Sequence, residues 1–253
     1  MCGRYTLTRH DRIVEVVPNI TIPSKLHIVD RFNIAPTQSV LAVANTAQLE
    51  AELMHWGLVP FWAKDKAIGN RMINARAETL TEKPAFKMNL EKHRCLILAD
   101  GFYEWRRHDD GSKTPMYIHL KDHRPFAFAG LWDVWRDEEA NEKLISCTII
   151  TTEPNDLMAT IHNRMPVILP HEAVLDWLDE KPRDGAEMSA WLKPFPASEM
   201  LAYPVSRRVN TPANDTPDLV QPATAQPPAP SSPPARPSRK KPPARSDDAG
   251  LFG

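Results

Sequence analysis

The residue that offers this chain the most chemistry is Cys2. A cysteine at position 2 is small enough for the initiator methionine to be trimmed. Trimming would leave an amine and a thiol on adjacent carbons. A terminal amine titrates at about 7.7–8.0, so a useful fraction is neutral at pH 7. A cysteine thiol titrates at about 8.5 and lower beside cations. Arg4 lies two residues on and is expected to act in that sense. Two reactions become available. The thiolate can attack an acyl carbon, as N-terminal nucleophile amidases do. Alternatively, the amine condenses with an aldehyde to an imine, and the thiol closes it to a thiazolidine. Only a 1,2-aminothiol can complete the second reaction.

Other residues bear on that choice. The segment INARAET places Asn74 and Arg76 two apart, on one face if the backbone is extended. LADGFYEW carries Glu104 between two aromatics, directly after an apolar run, which suits acid–base work. HNRMPVIL sets His162 where a helix should meet a strand, with an ordinary pKa of about 6.5. WGLVPFW puts Trp56 and Trp62 around a Gly-x-x-Pro turn. Each also has a plain structural reading: tryptophan as core, arginine and glutamate as surface charge, histidine as a satisfied junction residue. Cys95 and Cys147 stand apart in apolar runs and read as core packing. No Cys, His and carboxylate cluster has metal-ligand spacing, and no glycine-rich phosphate loop occurs, so neither a metal nor a cofactor is expected.

The elements that must position these residues read as follows. Residues 8–17 predict a first helix capped by Thr8. Apolar β runs cover 40–44, 49–54, 95–99, 116–120, 126–129 and 144–151. A short helix is expected near Pro84 and a clearer one from Pro154, with proline in its first turn. A strand at 166–169 and helices at 172–179 and 186–192 complete the pattern. Strands dominate first and helices later, without regular alternation. That predicts an α+β domain with a largely antiparallel sheet or open β-barrel core flanked by helices. No apolar run approaches the 18 or so residues of a membrane span. The N-terminus has no apolar signal region, and three cysteines make no disulfide framework, so a cytoplasmic protein is expected.

Proline divides the chain. Nine of its 25 prolines fall between Pro222 and Pro243, in a stretch with nothing larger than alanine to bury. Residues 222–253 therefore read as a disordered, proline-rich tail following a domain at 1–221. The tail carries a net charge of +3, leaving −4 for the domain, so the overall −1 hides a basic arm on an acidic body.

Taken in order, MCGRYTLT, RFNIAPTQ, HWGLVPFWAK, INARAET, CLILADGFYEW, FAGLWDVW, TIITTEPND, IHNRMPVIL and YPVSRRVN resemble the SRAP (SOS response-associated peptidase) family across the whole domain. The resemblance implies the SRAP fold. It also implies a protein that binds single-stranded DNA and crosslinks to abasic sites through its N-terminal cysteine. Cys2 would then form the thiazolidine, with Asn74, Glu104 and His162 as its catalytic companions. Arg4 and Arg76 would contact the DNA backbone, while Pro36, Trp56 and Trp62 sit in motifs near the site, the tryptophans offering faces to bases. Ile68 stands near the place where some members carry a base-wedging tryptophan. Lyase chemistry is accessible from an imine at an abasic site. A monomer is expected, associated with the nucleoid when on DNA, the tail reaching towards replication proteins. Two other readings remain: a thiol peptidase acting on its own N-terminus or on other chains, and a non-catalytic reader of modified DNA. The thiazolidine reading requires Cys2 to be the first residue of the mature chain. Peptide mapping should find it there, and a retained Met1 would contradict it.

Overall fold

The computed structural model describes residues 2–223. Among them lie twelve strands and four short α-helices. The strands are β1 (Tyr5–Leu7), β2 (Arg31–Ile34), β3 (Ser39–Ala44), β4 (Ala51–Trp56), β5 (Asn74–Arg76), β6 (Arg94–Ala99), β7 (Gly101–Arg107), β8 (Lys113–Leu120), β9 (Phe126–Asp137), β10 (Glu142–Thr152), β11 (Met165–Pro166) and β12 (Met200–Pro204). The α-helices are α1 (Pro84–Lys92), α2 (Asp156–Ala159), α3 (His171–Trp177) and α4 (Gly185–Ser189). The α+β class and its largely antiparallel character are as expected.

One sheet runs β12-β8-β7-β1-β2 and is antiparallel throughout. The other runs β11-β10-β4-β3-β6-β9, and β9 pairs again with β10. That last pairing closes β10, β4, β3, β6 and β9 into a five-stranded ring, where an open barrel was one of the expectations. Its parallel pairings are β10 with β4 and β10 with β5. The sheets meet through aromatics. Tyr5 lies edge-on to Trp56 at 5.3 Å and to Phe128 at 5.7 Å, and Phe102 meets Phe128 at 6.1 Å. Alternation along β7 sends Phe102 and Glu104 to one face and Tyr103 and Trp105 to the other. The second pair joins a smaller cluster with Tyr117, Val205, Val209 and Leu219.

Several local expectations are corrected. Residues 8–17 form a 3-10 helix, His10–Glu15, not an α-helix. Thr8 does not cap it, because its hydroxyl (2.7 Å) and backbone N–H both donate to Asp100, as does the Arg9 N–H at 2.8 Å. The helix expected from Pro154 begins later. Asn155 is its cap, accepting the Met158 N–H at 2.9 Å, and Pro154 lies outside. The 126–129 strand is the start of the much longer β9. Strands β1, β2, β5, β7 and β12 were not anticipated. Pro222 bridges to Val205, and the remainder of the proline-rich tail, from 224, lies outside the described residues.

One glycine is obligatory. Gly57 has φ +139°, and a Cβ there would lie 2.6 Å from the Gly69 carbonyl oxygen. Its N–H donates to Cys147 O at 2.9 Å, joining β4 to β10 where β5 enters the sheet. Gly57→Ala should therefore destabilise the fold by about 1–3 kcal/mol or more. Denaturant titration measures this, and an unchanged midpoint would contradict the strain.

Candidate functional site

Cys2 is fully buried, at 0% exposure. The register explains how. Tyr5 pairs with Phe102, and the Tyr103 N–H donates to Arg4 O at 2.9 Å. Continuing that antiparallel register sets Gly3 opposite Glu104 and carries Cys2 one residue beyond it. From the other sheet, β5 runs parallel to β10 with Asn74 opposite Ile149, and Asn74 Nδ2 donates to Cys2 O at 2.8 Å. Asn74 Oδ1 is buried and takes no hydrogen bond among the described residues. Two separate sheets thus hold the second residue of the chain.

The electrostatics follow from burial. Burial pushes the Cys2 thiol far above its ordinary range, and the Glu104 carboxylate pushes it further. Positive charge at the amino terminus and the Arg4 backbone N–H act in the opposite sense and are outweighed. This corrects the expectation of a thiol eased towards ionisation by Arg4: the buried thiol is held as S–H. Glu104, 3% exposed, reaches His162 as well, so thiol, carboxylate and imidazole share one electrostatic neighbourhood.

His162 follows the short helix α2, its N–H bonded to Met158 O at 2.8 Å. Its Nδ1 accepts the Arg164 backbone N–H at 3.1 Å. That contact assigns the neutral ring's proton to Nε2. Burial lowers the His162 pKa, and Arg107 and the amino terminus add to the lowering, while Glu104 opposes it. The Arg164 guanidinium ties this loop down. It donates to both Glu78 oxygens, at 2.8 and 3.0 Å, and to Thr151 O at 2.6 Å. Glu78 is two residues beyond Arg76, so one arginine fastens the His162 loop to the strand bearing Asn74. Arg164 stands within the IHNRMPVIL motif, where its spacing alone assigns it no role. The signal available was a cation two residues past a candidate histidine.

The structure brings Cys2, Asn74, Glu104 and His162 together and distributes the other candidates differently. Arg76 ends β5 and is exposed. Arg4 turns to the opposite face of its sheet. There Nη1 donates to Asn33 Oδ1 at 2.8 Å and Val209 O at 2.6 Å, and the guanidinium stacks 5.9 Å from the Trp105 ring centre. Trp56 is wholly buried, with Nε1 donating to Ile73 O at 2.9 Å. It offers no face to a base, which corrects that expectation. Trp62 does, at 52% exposure beside Phe61 at 55%. Pro36 is half-buried in the turn between β2 and β3, where the Thr37 N–H donates to Trp56 O at 2.8 Å. Among the described residues no group of His, Cys, Asp and Glu could hold a metal ion. None of their helices is long and apolar enough to cross a membrane.

Comparison with known proteins gives concordant results. The family model of the SOS response associated peptidase (SRAP) matches residues 1–212. The abasic site processing protein YoqW of Bacillus subtilis (strain 168) is 46% identical over 225 residues, covering 87% of this chain and 99% of its own. The abasic site processing protein YedK of Escherichia coli (strain K12) is 31% identical over 231 residues, covering 88% and 100%. The abasic site processing protein HMCES of Xenopus tropicalis is 36% identical over 202 residues, covering 70% of this chain and 58% of its own. The crystal structure of a Bacteroides thetaiotaomicron protein matches with a TM-score of 0.77 at 29% identity, covering 88% of this chain and 100% of its own.

The shared neighbourhood of Glu104 and His162 can be measured. His162 should titrate below its ordinary value by NMR, and Glu104→Gln should take it lower still, because a carboxylate that favours the imidazolium is removed. A His162 pKa that stays put or rises in Glu104→Gln would contradict the coupling.

Proposed function

The chain belongs to the SOS response-associated peptidase (SRAP) family, and from that premise we propose that it binds single-stranded DNA and captures abasic sites covalently through Cys2. The observation that carries this reading is the burial of Cys2, held by the Asn74–Cys2 hydrogen bond of 2.8 Å and within electrostatic reach of Glu104, which in turn acts on His162. The printed names of the relatives, abasic site processing proteins from bacteria and a vertebrate, support the substrate class.

The chemistry begins once Met1 is removed and the Cys2 amine is free. In its ring-opened form an abasic sugar presents an aldehyde. The neutral amine adds to the aldehyde carbon to give a carbinolamine. Its hydroxyl leaves as water when protonated, and the imine forms. His162, whose neutral ring carries its proton on Nε2, suits that role by donating this N–H to the departing hydroxyl while solvent supplies the proton that leaves with it. The thiol then adds across the C=N bond: sulfur bonds to carbon, and the ring nitrogen gains a proton. The net change is the loss of one water. Because burial keeps the sulfur protonated, the closure needs a base, and Glu104 is the carboxylate beside it. Asn74 Oδ1, buried and without a hydrogen-bond donor among the described residues, is suited to accept a hydrogen bond from the sugar or from the Cys2 amine. Arg76 and the exposed rings of Phe61 and Trp62 supply the means to hold a single strand, by phosphate contact and stacking.

A denaturing gel tests the proposal. Single-stranded DNA carrying an abasic site should yield a shifted covalent band with the wild-type chain and none with Cys2→Ala. His162→Ala should slow band formation about 10²-fold or more in single turnover. A Cys2→Ala band equal to wild type would overturn the reading.

A further inference from the structure

We infer that the cleft beside His162 is a phosphodiester subsite whose cation is Arg107, an inference that rests on the abasic-DNA reading above. The cleft has a volume of about 700 Å³, and its walls include Arg107, Pro154, Thr160, His162 and Asn163. It joins two elements that the catalytic group also uses. Arg107 is the last residue of β7, three beyond Glu104, and Thr160 to Asn163 form the turn after α2 that carries His162.

The arginines of this chain divide by what they hold. Arg4, Arg31, Arg94, Arg164 and Arg208 all donate to acceptors within the protein. Among the described residues the Arg107 side chain makes neither an ion pair nor a hydrogen bond, although it forms part of a concave wall. A guanidinium has a planar fork of donors that matches two oxygens of a phosphodiester. Asn163, exposed in the lining of the same cleft, adds a neutral amide donor. Pro154 and the neighbouring Ala159 and Ile161 give an apolar surface against which a sugar can lie.

The position selects a polymer's phosphate over a free anion. An abasic sugar reacting at Cys2 continues on both sides through phosphodiesters, so a cleft adjoining His162 lies along the path of one of them. Arg107 and His162 line the same cleft, and the charge of Arg107 is felt at the imidazole, where it opposes protonation.

The test uses a short single strand carrying a reduced abasic analogue that lacks the aldehyde, so that binding stays reversible. Affinity is measured over a series of salt concentrations for the wild type, Arg107→Gln and Arg107→Lys. Each phosphate contact on a single strand contributes about 0.7 to the slope of log K against log salt. Arg107→Gln should bind more weakly with a slope shallower by about 0.7, and Arg107→Lys should keep the wild-type slope. Thermal melting of each variant accompanies the titration, and Arg107, exposed at a strand end, should leave it unchanged. A wild-type slope in a folded Arg107→Gln, alongside a wild-type chain that crosslinks abasic DNA, would overturn this inference alone. A wild-type chain that neither binds nor crosslinks would overturn the functional reading together with it.

Discussion

The arrangement depends on burying the second residue of the chain. Chain termini ordinarily fray, because few contacts repay their ordering entropy. Here β1 lies between β2 and β7 in one sheet, and the backbone preceding it is gripped from the other sheet by Asn74. The edge-on contacts of Tyr5 with Trp56 and Phe128 fix the distance between the sheets. Cys2 therefore sits where both sheets contribute, and a shift of either would break the group apart. The tether formed by Arg164, Glu78 and Thr151 extends the same constraint to the His162 loop.

Burial also sets the chemistry. In low dielectric a thiolate is costly, the positive amino terminus offsets only part of that cost, and the charged side chain acting on Cys2 is a carboxylate. The thiol therefore waits as S–H. This is the reverse of the usual activated cysteine, which lies among cations. It fits a reaction in which the amine acts first and the sulfur acts second, on an imine already formed. A thiolate poised in advance would offer no advantage until that imine exists. Glu104 acts electrostatically on both the sulfur and the imidazole, so in the proposed reaction the group that closes the ring is coupled to the group that aids loss of water.

Much of this was legible in the residues, for reasons that can be named. The long apolar runs that became β3, β6, β9 and β10 are buried along much of their length, so their composition alone marks them. The strands that position the site are another matter. β5 is three residues long and holds Asn74 and Arg76, whose polarity reads as loop, and β7 mixes glycine, glutamate and two arginines. Their pairing comes from tertiary contacts that no local pattern records. The four catalytic candidates emerged through motif resemblance, since singly each had an ordinary structural reading. Trp56 shows the limit: a large aromatic beside a turn looks the same whether it packs or stacks, and only its hydrogen bond to Ile73 O and its burial decide. Thr8 is similar, because its partner Asp100 lies 92 residues away.

In the proposed reaction both functional groups of Cys2 are consumed in one ring. Isolating the DNA-linked N-terminal peptide and probing it with a reagent selective for primary amines and with a thiol-directed reagent tests this most directly. Neither reagent should label Cys2, and the mass should correspond to peptide plus abasic strand less one water. A labelled thiol would mean an imine that never closes, and a labelled amine would mean a bond through sulfur alone; either result would contradict it.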